Sequence, residues 1–277
     1  MTQTPQIAPQ PPRPPRPFAV RVNKGLLWTT KHWLRIMIVV LGLYSTLPII
    51  TPVLMKIGLT GPARALYTFY APFCHQFGFR SLWLFGPQAT YPRAVAGMDT
   101  VPFEAVVVNE PEFLSSYDFY YRRSNGGAPP ASVTEADLAS TFTPWYQFAS
   151  KDFVGSEAMG YKTTLCARDV AIYLAMFGGV MLYALPVVRR RLRPVPIWLY
   201  LILGIGPIGI DGVSQLLGYP PFNLWPPRET LPVFRLLTGA LFGIMNIWLA
   251  LPYLDDSMRE TRNSIEVKLR RAGIPIP

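Results

Sequence analysis

Four long stretches of the chain carry no charged residue. Ile36–Met55 has 20 residues, Val170–Val188 has 19 and Leu236–Leu254 has 19. Val195–Ile210 has 16 and continues past a lone acid, Asp211, to Leu217. About 20 apolar residues in a helix cross a bilayer core, so the pattern predicts four transmembrane helices, the third interrupted by Asp211. Two shorter apolar runs, Ala65–Phe79 and Ser81–Pro92, flank Arg80. Their length predicts a re-entrant or interfacial segment instead of a span.

The stretch 87–165 is more polar and reads as an insert between spans. Phe103–Val108 is strand-like, and Tyr117–Arg123 is an aromatic strand candidate ended by Asn125-Gly126-Gly127. Ser132 and Glu135 have capping-box spacing, which predicts a short helix to about Ser140, stopped by Pro144. The expected fold is an all-α membrane protein of about four spans, with an outward re-entrant or interfacial segment and a small extracytoplasmic α+β insert. Its parts are a Pro-rich basic tail (1–32), the first span and re-entrant segment (33–86), the insert (87–165), a three-span bundle (166–254) and a basic tail (255–277). The proline-rich leader reads as solvated and lacks the pattern of a signal peptide. Ile265 and Leu269 form an apolar stripe on the second tail, expected to lie on the inner leaflet.

Composition supports a membrane setting. Half the residues are hydrophobic and 15% are charged, against about 25% in soluble chains. Mean hydropathy is +0.23. Two cysteines and two histidines exclude disulfide-dense scaffolds, four-cysteine zinc fingers and His-rich metal enzymes. The net charge of +10 is a topology signal. Residues 1–35, 189–194 and 255–277 together carry +11, and the remainder carries −1. Lys and Arg gather on the cytoplasmic side, so both termini are expected inside, in a prokaryotic inner membrane. Nucleic acid is not an expected partner.

Polar residues at membrane depth are costly, so they mark candidate chemistry. Three patches stand out: Cys74-His75-Gln76 with Arg80-Ser81, then Cys166-x-Arg168-Asp169 with Tyr173, then Asp211 with Gln215. The four-span topology sets all three near the outer surface. Asp211 and Gln215 share a helix face at i,i+4, as do Cys166, Asp169 and Tyr173 at i, i+3 and i+7.

These motifs resemble a family of small multi-helix prokaryotic membrane proteins known only as a domain of unknown function. Its members carry C-H-Q followed by R-S, then C-x-R-C-x-x-I-Y, then D-G-x-x-Q. Here Asp169 stands where the family has a second cysteine, and the insert 87–165 separates the first two motifs. The resemblance locates a site without naming a reaction.

Cys74, His75, Cys166 and Asp169 form a plausible ligand set for zinc or another divalent metal, which accepts thiolate, imidazole and carboxylate. A disulfide between Cys74 and Cys166 is the alternative, since the outer side is oxidising. Gln76, Arg80, Arg168, Tyr173, Asp211 and Gln215 are candidate binding residues, and a quinone or lipid headgroup pocket lined by His75, Arg80, Tyr173 and Gln215 stays open. A thiol–quinone oxidoreductase needs a C-x-x-C pair, which the chain lacks. The function expected is a polar site at the outer membrane surface, metal- or lipid/quinone-binding. The alternative is a non-catalytic accessory or assembly subunit of a larger membrane complex. The expected partners are the lipid bilayer and other membrane-complex subunits.

Overall fold

Pro17–Lys56 folds as a single helix, α1, with Pro48 and Pro52 inside it. The computed structural model describes residues 17–130, 132–140 and 142–276, so the proline-rich tail lies outside the described residues. After α1 come α2 (Thr60–Tyr70), the strand β1 (Ser81–Leu84) and four short helices: α3 (Phe103–Val107), α4 (Pro111–Asn125), α5 (Glu135–Ser140) and α6 (Pro144–Asp152). Strands β2 (Gly155–Ser156) and β3 (Gly160–Cys166) follow, then α7 (Ala167–Tyr183) and α8 (Pro186–Arg191). A helix with a π-type stretch, α9 (Ile197–Leu217), and a second 40-residue helix, α10 (Pro232–Arg271), complete the chain.

The protein is mostly helical and, among the described residues, has three helices long and apolar enough to cross a membrane: α1, α9 and α10. The apolar window of α9 is only 6% buried, an exposure that water would penalise and lipid tolerates. The fourth apolar run forms α7, 17 residues packed along α10 and α1. The 11-residue α2 rises roughly 17 Å, about half the ~30 Å of a bilayer core, so 65–92 contains no spanning helix.

Close packing of α7 on α10 depends on missing side chains. A Cβ at Gly239 would lie 2.5 Å from the Arg168 carbonyl oxygen, and one at Gly243 would lie 2.4 Å from that of Ile172. The Gly239-x-x-x-Gly243 spacing thus serves contact within the chain. Both 40-residue helices rise roughly 60 Å, twice the core thickness, and run on together beyond it. The Ile265–Leu269 stripe is buried against Leu27 of α1, so protein covers the face assigned from sequence to the inner leaflet.

The insert differs from its sequence reading. Phe103–Val107 is a helix, because Phe103, Glu104 and Val107 turn inward at helical spacing. Tyr117–Arg123 also lies in a helix. Phe113, Tyr117 and Tyr121 recur every four residues, Pro111 starts α4, and Gly126 ends it in the left-handed region at φ 72°. The box that opens α5 is Thr134 with Asp137: the Asp137 carboxylate accepts the Thr134 N–H at 2.9 Å, and Thr134 Oγ1 accepts the Asp137 N–H at 3.2 Å. The aromatic core of this cap includes Phe79, Trp83, Phe103, Phe113 and Tyr146. The small sheet, ordered β1-β3-β2 and antiparallel, joins the cap to α7.

Gly239→Ala and Gly243→Ala are expected to lower the thermal midpoint in detergent, by the equivalent of about 1–3 kcal/mol of overpacking each. Gly178→Ala, whose Cβ would meet nothing within 4 Å, should be neutral. Equal midpoints for all three variants would contradict the α7–α10 packing.

Candidate functional site

β3 runs directly into α7, so Cys166 is both the last residue of the strand and the N-cap residue of the helix. Cys74 reaches it from the turn after α2. That turn needs Gln76 at φ 56°, an uncommon conformation for a side-chain-bearing residue. The Gln76 amide holds it there by donating to the carbonyls of Tyr67 at 2.8 Å and Thr164 at 2.9 Å. The two sulfurs lie 3.1 Å apart, and both cysteines are free and buried. Cys74 Sγ also accepts the backbone N–H groups of Cys166 at 3.2 Å and Gln76 at 3.4 Å.

Asp169, one turn into α7, completes a group whose ligand atoms lie within 4.8 Å of one another. The Cys74 thiol donates to the Cys166 sulfur, so their titrations are linked. The hydrogen bond from Cys74 pushes the Cys166 thiol down, aided by the guanidiniums of Arg80 and Arg235 and opposed by burial. The same bond and burial push Cys74 up.

His75 stands outside this group. Its side chain is exposed, its ring is 5.2 Å from that of Phe77, and it lines a pocket of about 360 Å³ with Phe73, Phe148 and Lys151. Cys74, its neighbour, lines the same pocket but is buried. Tyr173 packs against Tyr44, 4.6 Å between ring centres, and Arg80 and Gln215 are both bound to Glu229. Of the four residues assigned from sequence to a quinone or headgroup pocket, Arg80 and Gln215 thus meet at Glu229, while His75 and Tyr173 have other neighbours.

Asp211 belongs to a second cluster beside the sulfurs. Its carboxylate accepts from Arg168, from Arg228 at 3.1 Å and from Thr230 Oγ1 at 2.6 Å. Glu229 accepts from Arg80 at 2.6 Å, from Gln215 at 2.6 Å, from Tyr219 at 3.0 Å and from Arg235. Burial opposes ionisation of Glu229, but the guanidiniums of Arg80 and Arg235 outweigh it and hold its pKa below the usual carboxylate value. Arg168 and Asp169 are consecutive on α7, so one helical turn serves both clusters.

Sequence reasoning passed over Glu229, Arg228, Thr230, Arg235 and Lys162. The signal for the first three was three polar residues between Pro227 and Leu231, where a loop joins two spans. Lys162 was a lone cation in a strand that is buried throughout. Its ammonium donates to the carbonyls of Gln76 at 2.7 Å, Lys151 at 2.7 Å and Ser150 at 2.9 Å. It therefore fastens the sulfur-bearing turn to the sheet and to α6.

The fold and the paired clusters define a helical membrane protein with a buried thiol–carboxylate group beside a guanidinium–carboxylate network. Residues 157–249 match the model of a family described as "Predicted membrane protein (DUF2085)". That span holds Cys166, Arg168, Asp169, Asp211, Glu229 and Arg235, while Cys74–Arg80 lie before it. The chain is also similar to "Uncharacterized protein MJ1492" of Methanocaldococcus jannaschii, 30% identical over 94 residues, which is 34% of this chain and 54% of the relative. The matched region thus spans about half the length of that curated relative. No solved structure matches.

Burial pushes the Lys162 pKa down from 10.5 to about 7. Between those values the unfolded chain keeps a proton that the folded chain has released, so stability from this group rises with pH across that window. Lys162→Met should remove this rise. It should also lower the thermal midpoint within that window, because the buried carbonyls of Gln76, Ser150 and Lys151 lose the amine that they share. The check is the midpoint from pH 7 to 10 for both proteins; parallel profiles would refute the assignment.

Proposed function

We propose that this protein is a four-span inner-membrane protein, with α7 as the fourth crossing and both termini cytoplasmic. Its Cys74–Cys166–Asp169 group is an outer-side site for a soft divalent cation such as zinc. The carrying observation is the gathering of two thiols and a carboxylate within 4.8 Å, buried. Thiolate and carboxylate suit zinc, and three protein ligands leave a fourth position for water or a substrate atom. Two thiolates on one zinc sit roughly 3.5–4 Å apart, so the sulfurs need to part by less than about 1 Å. The hydrogen bond from the Cys74 thiol, with the guanidiniums of Arg80 and Arg235, favours the thiolate form of Cys166.

The sulfur contact of 3.1 Å also favours a second reading, a dithiol that closes to a disulfide on the oxidising side. Metal analysis of detergent-purified protein, with thiol counting after denaturation, separates the two. Stoichiometric zinc with two free thiols, lost in Cys74→Ser and Cys166→Ser and retained in His75→Ala, supports the metal site. Metal-free protein sinks it, and absence of titratable thiols then assigns the disulfide.

The crossing pattern rests on the split of +11 against −1 in net charge. A cysteine introduced at Ser124 should react with a membrane-impermeant maleimide in intact cells, and one at Ser264 should not. The reverse pattern would overturn the orientation.

A further inference from the structure

A pocket of about 480 Å³ lies where the outer part of α9 meets the start of α10. Pro207, Ile210 and Phe234 form its apolar wall, Arg228, Thr230 and the arginine-paired carboxylates of Asp211 and Glu229 its polar end, and Ala96 of the cap another side. Ile210 is 74% exposed and Phe234 55%, on two helices apolar enough to span, so the mouth faces the hydrocarbon. We propose that this pocket binds an anionic phospholipid of the outer leaflet, its phosphate on Arg228 and its chains along Ile210 and Phe234.

Counted over guanidiniums and carboxylates, the network carries an excess of positive charge. Four guanidiniums, those of Arg80, Arg168, Arg228 and Arg235, meet three carboxylates, those of Asp169, Asp211 and Glu229. An unbalanced cation at the edge of a membrane is costly, and a bound anion removes the imbalance. Arg228 is the member placed to receive it. Its side chain is 47% exposed, against 18% for Arg80, 18% for Arg168 and 6% for Arg235.

Its bonds to Asp211 and Ser214 both leave from Nη2. Nε–H and the Nη1 side of the fork therefore remain for phosphate oxygens, a geometry to which guanidinium is suited. The start of α10 adds to the attraction, since Leu231 provides no side-chain cap and the first turn holds no acid. A soluble anion would match the polar end alone. The apolar wall matches an acyl chain, which selects a lipid.

The test is native mass spectrometry of the delipidated full chain in detergent, titrated with phosphatidylglycerol, phosphatidylcholine or inorganic phosphate. Phosphatidylglycerol should be retained and phosphatidylcholine should not. Arg228→Gln should weaken retention about tenfold, the loss of a charge-assisted hydrogen bond. Ile210→Trp, which fills the apolar wall and spares the arginine, should weaken it as well, and it carries the test should Arg228→Gln fail to fold. A thermal midpoint in detergent close to that of wild type in each variant reports that the fold persists. Equal retention by both variants and wild type, or displacement of the lipid by inorganic phosphate at matching concentration, would overturn the proposal.

Discussion

Everything at the end of the helices that carries the sulfurs depends on holding two carboxylates among donors in largely buried surroundings. Asp211 and Glu229 are each surrounded by donors, three on the first and four on the second. A buried ion pair gives back its desolvation cost only when its remaining lone pairs are also filled. Here they are filled from different elements: Arg168 from α7, Gln215 from α9, Arg235 from α10 and Arg80 from the segment before β1. The network extends into the cap. Tyr219, a donor to Glu229, accepts from the buried Arg93, which pairs with Glu104 at 2.8 Å. Removing one of these acids would strand guanidiniums in a place where water cannot replace the lost partner, so the helix ends and the cap hold one relative position.

The sulfur group inherits its geometry from that frame. Cys166 is fixed because it ends a strand whose seven residues are all buried and begins a helix locked to α10 through glycine contacts. Cys74 sits on a turn with no regular secondary structure of its own. Its position comes from Gln76 and Lys162, whose hydrogen bonds tie the turn to α2, α6 and β3. A strained backbone conformation at Gln76 costs on the order of 1–3 kcal/mol and persists because these bonds fix it. Among the described residues, the polar groups nearest the sulfurs thus act as positioning groups, and Asp169 is the one whose carboxylate lies within ligand distance.

Much of the membrane part was legible from hydropathy, since lipid imposes length and an uncharged stretch on any helix that crosses it. Ile36–Met55 and Leu236–Leu254 each fall inside a helix of spanning length, and Val195–Leu217 coincides with a third but for its first two residues. The cap was harder to read because local pattern misled. Phe119, Tyr120 and Tyr121 look like a strand when taken as a run. The stripe that decides is Phe113, Tyr117 and Tyr121, visible only with a helical period. The sheet escaped for a different reason: β1 and β3 are about 80 residues apart, and their pairing is a tertiary fact with no local mark. Cys166, Asp169 and Asp211 were legible as costly polar residues beside spans. Glu229 was not, because a loop acid bears no sign of burial until its partners are known.

The Cys-x-Arg-Asp sequence at the start of α7 can now be read as a division of labour set by helix geometry. Consecutive helical residues diverge by about 100°, so Arg168 and Asp169 cannot serve the same neighbour. Arg168 turns to Asp211 on α9, and Asp169 turns to the sulfurs. Had the two side chains paired with each other, the sulfur group would lose its carboxylate and Asp211 one of its three donors. Their separation is maintained from outside, by the competing acid on α9 and by Gly239, whose missing Cβ lets α10 approach the Arg168 carbonyl. The character of the thiol site therefore depends on residues of α9 and α10 that never touch a sulfur atom.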